Sequence, residues 1–182
     1  MKVLITGTGI TGKSTFRRQL VKEFRTLGWA VDHFDADCFK ELRHPADADC
    51  MAQLPKVFLD GIIYVIEDIH GPIPEKAILP IVEYDFIFYL KPSFCHHLIF
   101  WLDRLPKWFR SGNFSWERGR GWKGTGKQKD WRNVWPIAKT FFRDVVSWKK
   151  WTAEDLNVLR PLKFKIVESF WTKEGSSFKV LF

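Results

Sequence analysis

The sequence predicts an α/β protein with three layers, in which helices cover both faces of a five-stranded parallel sheet. Short apolar runs without polar alternation recur along the chain, which is typical of strands buried on both faces. Segments with apolar residues at helical spacing separate these runs, and this alternation favours a parallel sheet. With 182 residues, 46% of them hydrophobic, the chain is long enough to bury such a core as one domain.

The predicted elements begin with a strand at residues 2–6, a glycine-rich loop and a helix at about residues 13–27. The buried stripe of this helix is expected to consist of Phe16, Leu20, Phe24 and Leu27. The side facing water is expected to carry Arg17, Arg18, Lys22 and Arg25. Further strands are predicted at 30–34, 62–66, 85–90 and 164–167, an edge strand at 178–182, and helices at about 94–109 and 134–159.

The loop after the first strand fits the pattern G-x-x-x-x-G-K-[ST] over the residues GTGITGKS, with Gly7, Gly12, Lys13 and Ser14 at the fixed positions. In this pattern backbone amides and a helix N-terminus surround a polyphosphate, the lysine reaches the β- and γ-phosphates, and the hydroxyl binds Mg²⁺. The expected nucleotide contacts are Gly7, Thr8, Gly9, Ile10, Thr11, Gly12, Lys13, Ser14 and Thr15.

The same loop also admits a dinucleotide-binding interpretation, because Gly7, Gly9 and Gly12 spell G-x-G-x-x-G and the acidic Asp35 follows. An NAD(P)-dependent oxidoreductase is therefore a lesser alternative. Two observations weigh against it. Lys13 and Ser14 stand where a dinucleotide-binding helix usually has residues that pack on the sheet, and the sequence contains no Tyr-x-x-x-Lys pair.

With the motif GTGITGKST, the FDAD segment after the second strand and a basic segment before the last long helix, the chain resembles the P-loop kinase superfamily. This resemblance implies strand order 2-3-1-4-5 and an ATP-dependent kinase that moves the γ-phosphoryl group to a small-molecule or nucleotide acceptor with Mg²⁺. FDADCF is similar to the D-x-D segment of adenylylsulfate and gluconate kinases. The loop departs from the family at Ile10, where such kinases often have glycine.

Carboxylates that follow two of the predicted strands are the candidates for the chemistry. Asp35 and Asp37 are expected to orient the acceptor, because an aspartate has this role in the kinases that FDAD resembles. Glu67 and Asp68 follow the third strand, where a carboxylate near Ser14 would support the metal. The sequence does not choose within either pair.

The net charge of +8 originates in one segment, because residues 101–151 contain 13 basic and 4 acidic residues. We interpret residues 110–132 as a basic lid in which Arg118 and Arg120 neutralise charge in the transition state, as in P-loop kinases. The same segment contains eight of the ten tryptophans. Basic residues interleaved with aromatic ones also suit the binding of single-stranded nucleic acid. The principal alternative is therefore an NTP-binding protein that associates with nucleic acid, or a polynucleotide 5′-kinase.

Three widely spaced cysteines and the lack of a recognisable signal peptide or membrane span predict a cytoplasmic protein. The pair His96-His97 begins a predicted helix without a partner at metal-ligand spacing. We expect these two histidines to be structural.

Overall fold

The structure, a computed structural model, describes residues 1–36, 49–51, 53–111 and 134–181. Residues 37–48, which follow the second strand, and all but the first two residues of the predicted lid therefore lie outside the described residues. The strands are β1 (Lys2–Thr6), β2 (Ala30–Asp35), β3 (Ile62–Glu67), β4 (Phe86–Leu90), β5 (Phe164–Thr172) and β6 (Gly175–Leu181). The α-helices are α1 (Lys13–Thr26), α2 (Phe94–Ser111) and α3 (Val134–Leu159), and a 3₁₀ helix spans Ile81–Glu83.

The six strands form one mixed sheet in the order β2-β3-β1-β4-β5-β6. The pairs β2–β3, β3–β1, β1–β4 and β4–β5 are parallel, whereas β5 and β6 are antiparallel. The α/β class is therefore confirmed, and the first five strands stand in the expected order.

The prediction of an all-parallel sheet with five strands is wrong at β6. Thr172 pairs with Gly175 across a two-residue connection, and so short a connection joins only antiparallel strands. Gly175 has a φ of 117°, which a residue with a side chain rarely adopts. The sequence analysis placed an edge strand only from residue 178, because Gly175, Ser176 and Ser177 lack the apolar pattern of a strand.

Two hydrophobic clusters lie on the two faces of the sheet, because successive residues of β1 point to opposite sides. Val3 and Ile5 join the cluster under α1, which includes Phe16 and Val21. Leu4 joins the other cluster, which includes Tyr89 and the end of α3 at Leu159. Burial on both faces explains why the central strands are continuously apolar.

The inner face of α1 differs in part from the prediction. Phe16 is buried as expected, but Leu27 is 71% exposed, because it lies just beyond the last turn of the helix. Lys13 and Arg17, which are one turn apart, are buried instead. The expectation that Arg17 faces water is therefore wrong.

The carboxyl ends of the parallel strands meet at one edge of the sheet. Ile5 in β1 is the partner of Glu67 in β3, and Asp35 in β2 is the partner of Glu67 on its other side. The glycine-rich loop leaves β1 at this edge, directly after Thr6. The fold thus brings the loop and two of the candidate carboxylates to one place, where open α/β sheets usually bind ligands.

Candidate phosphate-binding site

The loop of residues 7–12 requires glycine at two of its three glycine positions. Gly7 has a φ of 138°, and a Cβ atom there would lie 2.5 Å from the carbonyl oxygen of Leu90. Gly12 has a φ of 82° and precedes the first residue of α1. A Cβ atom at Gly9 would meet only ordinary contacts, the nearest at 3.5 Å from Asp144. The required glycines are thus the two that the phosphate-loop pattern fixes.

Ile10 adopts a left-handed conformation with a φ of 56°. Left-handed backbone costs a residue with a side chain about 1–2 kcal/mol, and a β-branched residue is especially unsuited to it. Ile10 is the position at which P-loop kinases often have glycine. The departure in the sequence therefore coincides with a backbone conformation that glycine would adopt without strain.

The ammonium group of Lys13 is folded onto the loop. Its Nζ donates hydrogen bonds to the carbonyl oxygens of Thr8 at 2.8 Å and Gly7 at 3.2 Å, and only 7% of the residue is exposed. Thr11 closes the same loop by donating from its hydroxyl to the Thr8 carbonyl at 3.2 Å. A buried ammonium needs such partners, and phosphate oxygens would be stronger ones than neutral carbonyls.

The first turn of α1 supplies further donors toward the loop. Gly12 precedes the helix without a side-chain cap, and the amide of Phe16 donates to the Gly12 carbonyl at 2.9 Å. Helix geometry leaves the amides of Lys13, Ser14 and Thr15 without a carbonyl partner inside the helix. These amides and the helix dipole favour an anion at this end.

Ser14 and Glu67, two of the predicted metal ligands, are in direct contact. The Ser14 hydroxyl donates to Glu67 Oε1 at 2.9 Å, and Glu67 is only 5% exposed. Burial and the nearby Asp35 charge raise the pKa of Glu67, while the Arg17 and Lys13 charges oppose the shift. A hydroxyl beside a carboxylate offers the hard oxygen ligands that Mg²⁺ prefers. Among the described residues, no group of three or more His, Cys, Asp or Glu side chains is arranged to hold a metal.

Asp68, the alternative metal ligand, supports the chain that follows β3. It is fully buried, its Oδ1 accepts a hydrogen bond from the amide of His70 at 2.9 Å, and its Oδ2 accepts one from Ile78 at 3.0 Å. Both oxygens therefore hold backbone turns in place. The geometry favours Glu67 over Asp68 as the carboxylate on the metal side.

Asp35 lies in an ion pair that the sequence analysis did not anticipate. The Arg17 guanidinium is fully buried, with Nη2 3.4 Å from Asp35 Oδ2 and Nε 3.1 Å from Glu67 Oε2. Nη1 lies 2.9 Å from His33 Nδ1 and 2.7 Å from Cys50 Sγ. The sequence contains one indication that Arg17 lies at the site. Residue 17 follows Lys13 by one helical turn, so both side chains lie on the same face of α1.

Several predicted site residues lie outside the described part of the chain. These are Asp37 and the two lid arginines, Arg118 and Arg120. Their assignment to acceptor and lid remains a prediction.

His97 and α3 line the loop from the other side. His97 is 1% exposed and its ring lies 5.9 Å from that of Trp148. Burial and the Lys13 charge lower the pKa of His97 to about 4, against an opposing effect of the nearby Ile10 backbone. Farther along α3, Asp155 accepts a hydrogen bond from the Tyr89 hydroxyl at 3.0 Å, and burial raises its pKa to about 6. His97 is thus buried next to the loop, a place that its sequence context did not indicate.

A surface cleft of about 430 Å³ runs along α1 away from the loop. Arg18, Lys22 and Arg25 line it together with His33 and Asp49. None of the predicted site residues that the structure describes lines this cleft, so the candidate site lies apart from it, at the loop and the ends of β2 and β3.

Comparison of the chain with protein-family models and with curated proteins finds no match. The functional assignment therefore rests on the loop and its surroundings. None of the helices in the described ranges has the length and apolar character needed to cross a membrane.

The left-handed conformation of Ile10 predicts that glycine is the better of two small replacements. Ile10→Gly should exceed Ile10→Ala in free energy of unfolding by about 1 kcal/mol, because alanine retains the unfavourable backbone conformation. Both variants lose the branched side chain, so the difference between them reports the backbone. Urea unfolding measures it, and an alanine variant of equal or greater stability would contradict the conformation described for Ile10.

The buried, neutral His97 predicts a loss of stability in acid. In the unfolded chain the imidazole takes up a proton near pH 6.5, whereas in the fold it does so only near pH 4. Between these values His97 binds more protons in the unfolded state, so its contribution to the free energy of unfolding should fall as the pH falls, by on the order of 3 kcal/mol. His97→Phe keeps an aromatic ring beside Trp148 and lacks this dependence.

The measurement is urea unfolding of both proteins at pH 7.5 and pH 4.5. Asp155 and Glu67 contribute in this range with the opposite sign, because their pKa values are raised in the fold, but both are present in the two proteins and cancel in the comparison. Identical pH dependence of the two proteins would show that His97 is not held neutral.

Proposed function

We propose that this protein is an ATP-dependent phosphotransferase of the P-loop kinase type, which moves the γ-phosphoryl group to a small-molecule or nucleotide acceptor with Mg²⁺. One observation carries the proposal. The Lys13 ammonium is held inside a loop shaped by Gly7 and Gly12, while the next residue, Ser14, donates to the carboxylate of Glu67. A cation, a set of helix amides and a hydroxyl–carboxylate pair then converge on one volume, as polyphosphate binding requires.

The sheet supports this proposal over an oxidoreductase. Dinucleotide-binding folds have strand order 3-2-1-4-5-6, with β2 beside β1, whereas here β3 and β4 flank β1. We infer a three-layer kinase-like core of five parallel strands, to which β6 adds an antiparallel edge.

The loop residues would act on the phosphates through position and charge. The Lys13 ammonium would exchange the Gly7 and Thr8 carbonyls for phosphate oxygens, which are stronger acceptors because they are charged. The first-turn amides of α1 would donate to the same anion. Phosphoryl transfer depends mainly on such positioning and charge stabilisation, so the chain itself need not form a covalent bond.

Ser14 and Glu67 fit a magnesium ion, because both present oxygen atoms and already lie within hydrogen-bond distance of each other. When bound, such an ion would neutralise negative charge on the phosphates. Glu67 would bind the ion directly or through water, and the Ser14 hydroxyl would turn from Glu67 toward the metal.

The acceptor side of the proposal depends less on Asp35 than the sequence suggested. Its carboxylate is 8% exposed and paired with Arg17, which leaves Asp37 and the lid arginines as the remaining predicted contacts. The nucleic-acid alternative depends on residues 112–133, which lie outside the described residues, and no observation in the described ranges favours it.

The proposed role of Lys13 predicts a selective loss of nucleotide affinity. Lys13→Met should weaken ATP binding by about 10- to 100-fold, because a charge-assisted hydrogen bond contributes about 1.5–3 kcal/mol. Lys22→Met removes an exposed lysine from the same helix and is the matched control. Isothermal titration calorimetry with ATP and with NADPH measures the effect. Tight ATP binding by Lys13→Met, or preferential NADPH binding by the unmodified protein, would contradict the proposal.

The contact between Ser14 and Glu67 predicts that one carboxylate controls the magnesium dependence. Glu67→Gln keeps the size and a hydrogen-bond acceptor but removes the charge, so the enhancement of ATP affinity by Mg²⁺ should fall by at least about tenfold. ATP binding without Mg²⁺ should remain nearly unchanged.

Asp68→Asn provides the contrast for this experiment. It disturbs the turns at His70 and Ile78, so it should lower stability while it leaves the ratio of ATP affinities with and without Mg²⁺ intact. The reverse result, with the magnesium effect lost only in Asp68→Asn, would transfer the metal role to Asp68.

A further inference from the structure

Arg17 is a fully buried cation near the site, and it touches groups from three parts of the chain. It has no exposed surface and contacts Asp35 in β2, Glu67 at the end of β3, and Cys50 in the segment before β3. A guanidinium presents five donors in a rigid plane, so it holds several acceptors in a fixed geometry as an ammonium cannot.

The two oxygens of Glu67 are divided between Arg17 and Ser14. Arg17 Nε lies 3.1 Å from Oε2, and the Ser14 hydroxyl donates to Oε1 at 2.9 Å. The ion pair with Arg17 and the hydrogen bond from Ser14 thus lie on different oxygens of one carboxylate, and Oε1 is the oxygen on the side of the phosphate loop. Among the contacts described here for Glu67, the hydrogen bond from Ser14 is the other one to its carboxylate oxygens, and that hydroxyl is itself a proposed metal ligand.

Asp35 and Glu67 would repel each other without Arg17. They are partners in adjacent parallel strands, whose spacing is about 4.8 Å, and both are largely buried. Like charges at that spacing cannot both stay ionised in a dry environment unless a cation lies between them. Arg17 is that cation, and Asp35 completes its charge balance.

His33 fixes Arg17 from the far side. Because a guanidinium can only donate, His33 Nδ1 must accept from Arg17 Nη1 at 2.9 Å, and the ring proton must therefore sit on Nε2. That proton faces Asp49 Oδ1 at 3.1 Å. A continuous chain of contacts thus leads from Asp49 through His33, Arg17 and Glu67 to Ser14.

We propose that Arg17 is a positioning residue that turns the Glu67 carboxylate toward Ser14, and that Asp35 is its counter-ion rather than the base for the acceptor. The inference rests on the proposed function for its catalytic meaning. The contact itself can be tested without nucleotide.

The first test is a double-mutant cycle in urea without nucleotide or metal, with Arg17→Met, Glu67→Gln and the two combined. Arg17→Met alone should lower the unfolding midpoint most, because it leaves two buried carboxylates uncompensated. Adding Glu67→Gln should restore part of the loss. Strictly additive effects would overturn the inference, because residues in contact couple and independent ones do not.

The second test measures ATP affinity with and without Mg²⁺. Arg17→Met should reduce the enhancement by Mg²⁺ by about tenfold, as expected for a residue that supports a metal ligand, while ATP binding without Mg²⁺ stays within about twofold. Lys22→Met on the exposed side of α1 should change neither quantity. An unaltered Mg²⁺ effect in a folded Arg17→Met protein would overturn the positioning role.

If Arg17→Met does not fold, Arg17→Lys replaces it in the second test. The ammonium retains the charge and should restore the fold, but it lacks the planar set of donors, so the Mg²⁺ effect should still be reduced. Full recovery of that effect by lysine would show that charge alone suffices and would overturn positioning. Failure of the unmodified protein to bind ATP would instead refute the proposed function, and the urea cycle would still decide the contact.

Discussion

The site depends on two buried cations that project from one face of α1. Lys13 and Arg17 are one helical turn apart, and both are almost completely withdrawn from water. Burying a charge is costly unless partners of opposite polarity surround it. Lys13 donates hydrogen bonds to loop carbonyls, and Arg17 contacts two carboxylates, an imidazole and a thiol. These requirements tie α1 to the loop and to the ends of β2 and β3.

The loop itself is held by the backbone more than by side chains. Gly7 approaches β4 so closely that a Cβ atom would overlap the Leu90 carbonyl, and Gly12 turns the chain into α1. The left-handed Ile10 adds strain at the position between them. Such strain persists only where the surroundings over-determine the conformation, and here the folded Lys13 side chain and the buried Thr11 hydroxyl do so.

Arg17, the second buried cation, also helps to separate the roles of the acidic residues. The sequence offered one pair of carboxylates for the acceptor and another for the metal without a choice within either pair, but the contacts of three of the four now separate them. Glu67 faces Ser14, Asp68 holds backbone turns, and Asp35 balances Arg17, while Asp37 lies outside the described residues. The difference comes from which buried partner each side chain meets, since all are of the same chemical type.

By itself the sequence determined the α/β class and the strand–loop–helix unit with Lys13 and Ser14, because these features follow from local periodicity and from glycines at fixed spacing. The order of the first five strands came from the resemblance to P-loop kinases and not from any local pattern. Only the tertiary structure decided that Arg17 points inward, that Asp35 and Glu67 share it, and that Asp68 supports turns. The tertiary structure likewise decided that β6 is antiparallel and that His97 lies beside the loop. Each of these depends on a partner distant along the chain, and a local pattern carries no information about how a buried charge is compensated.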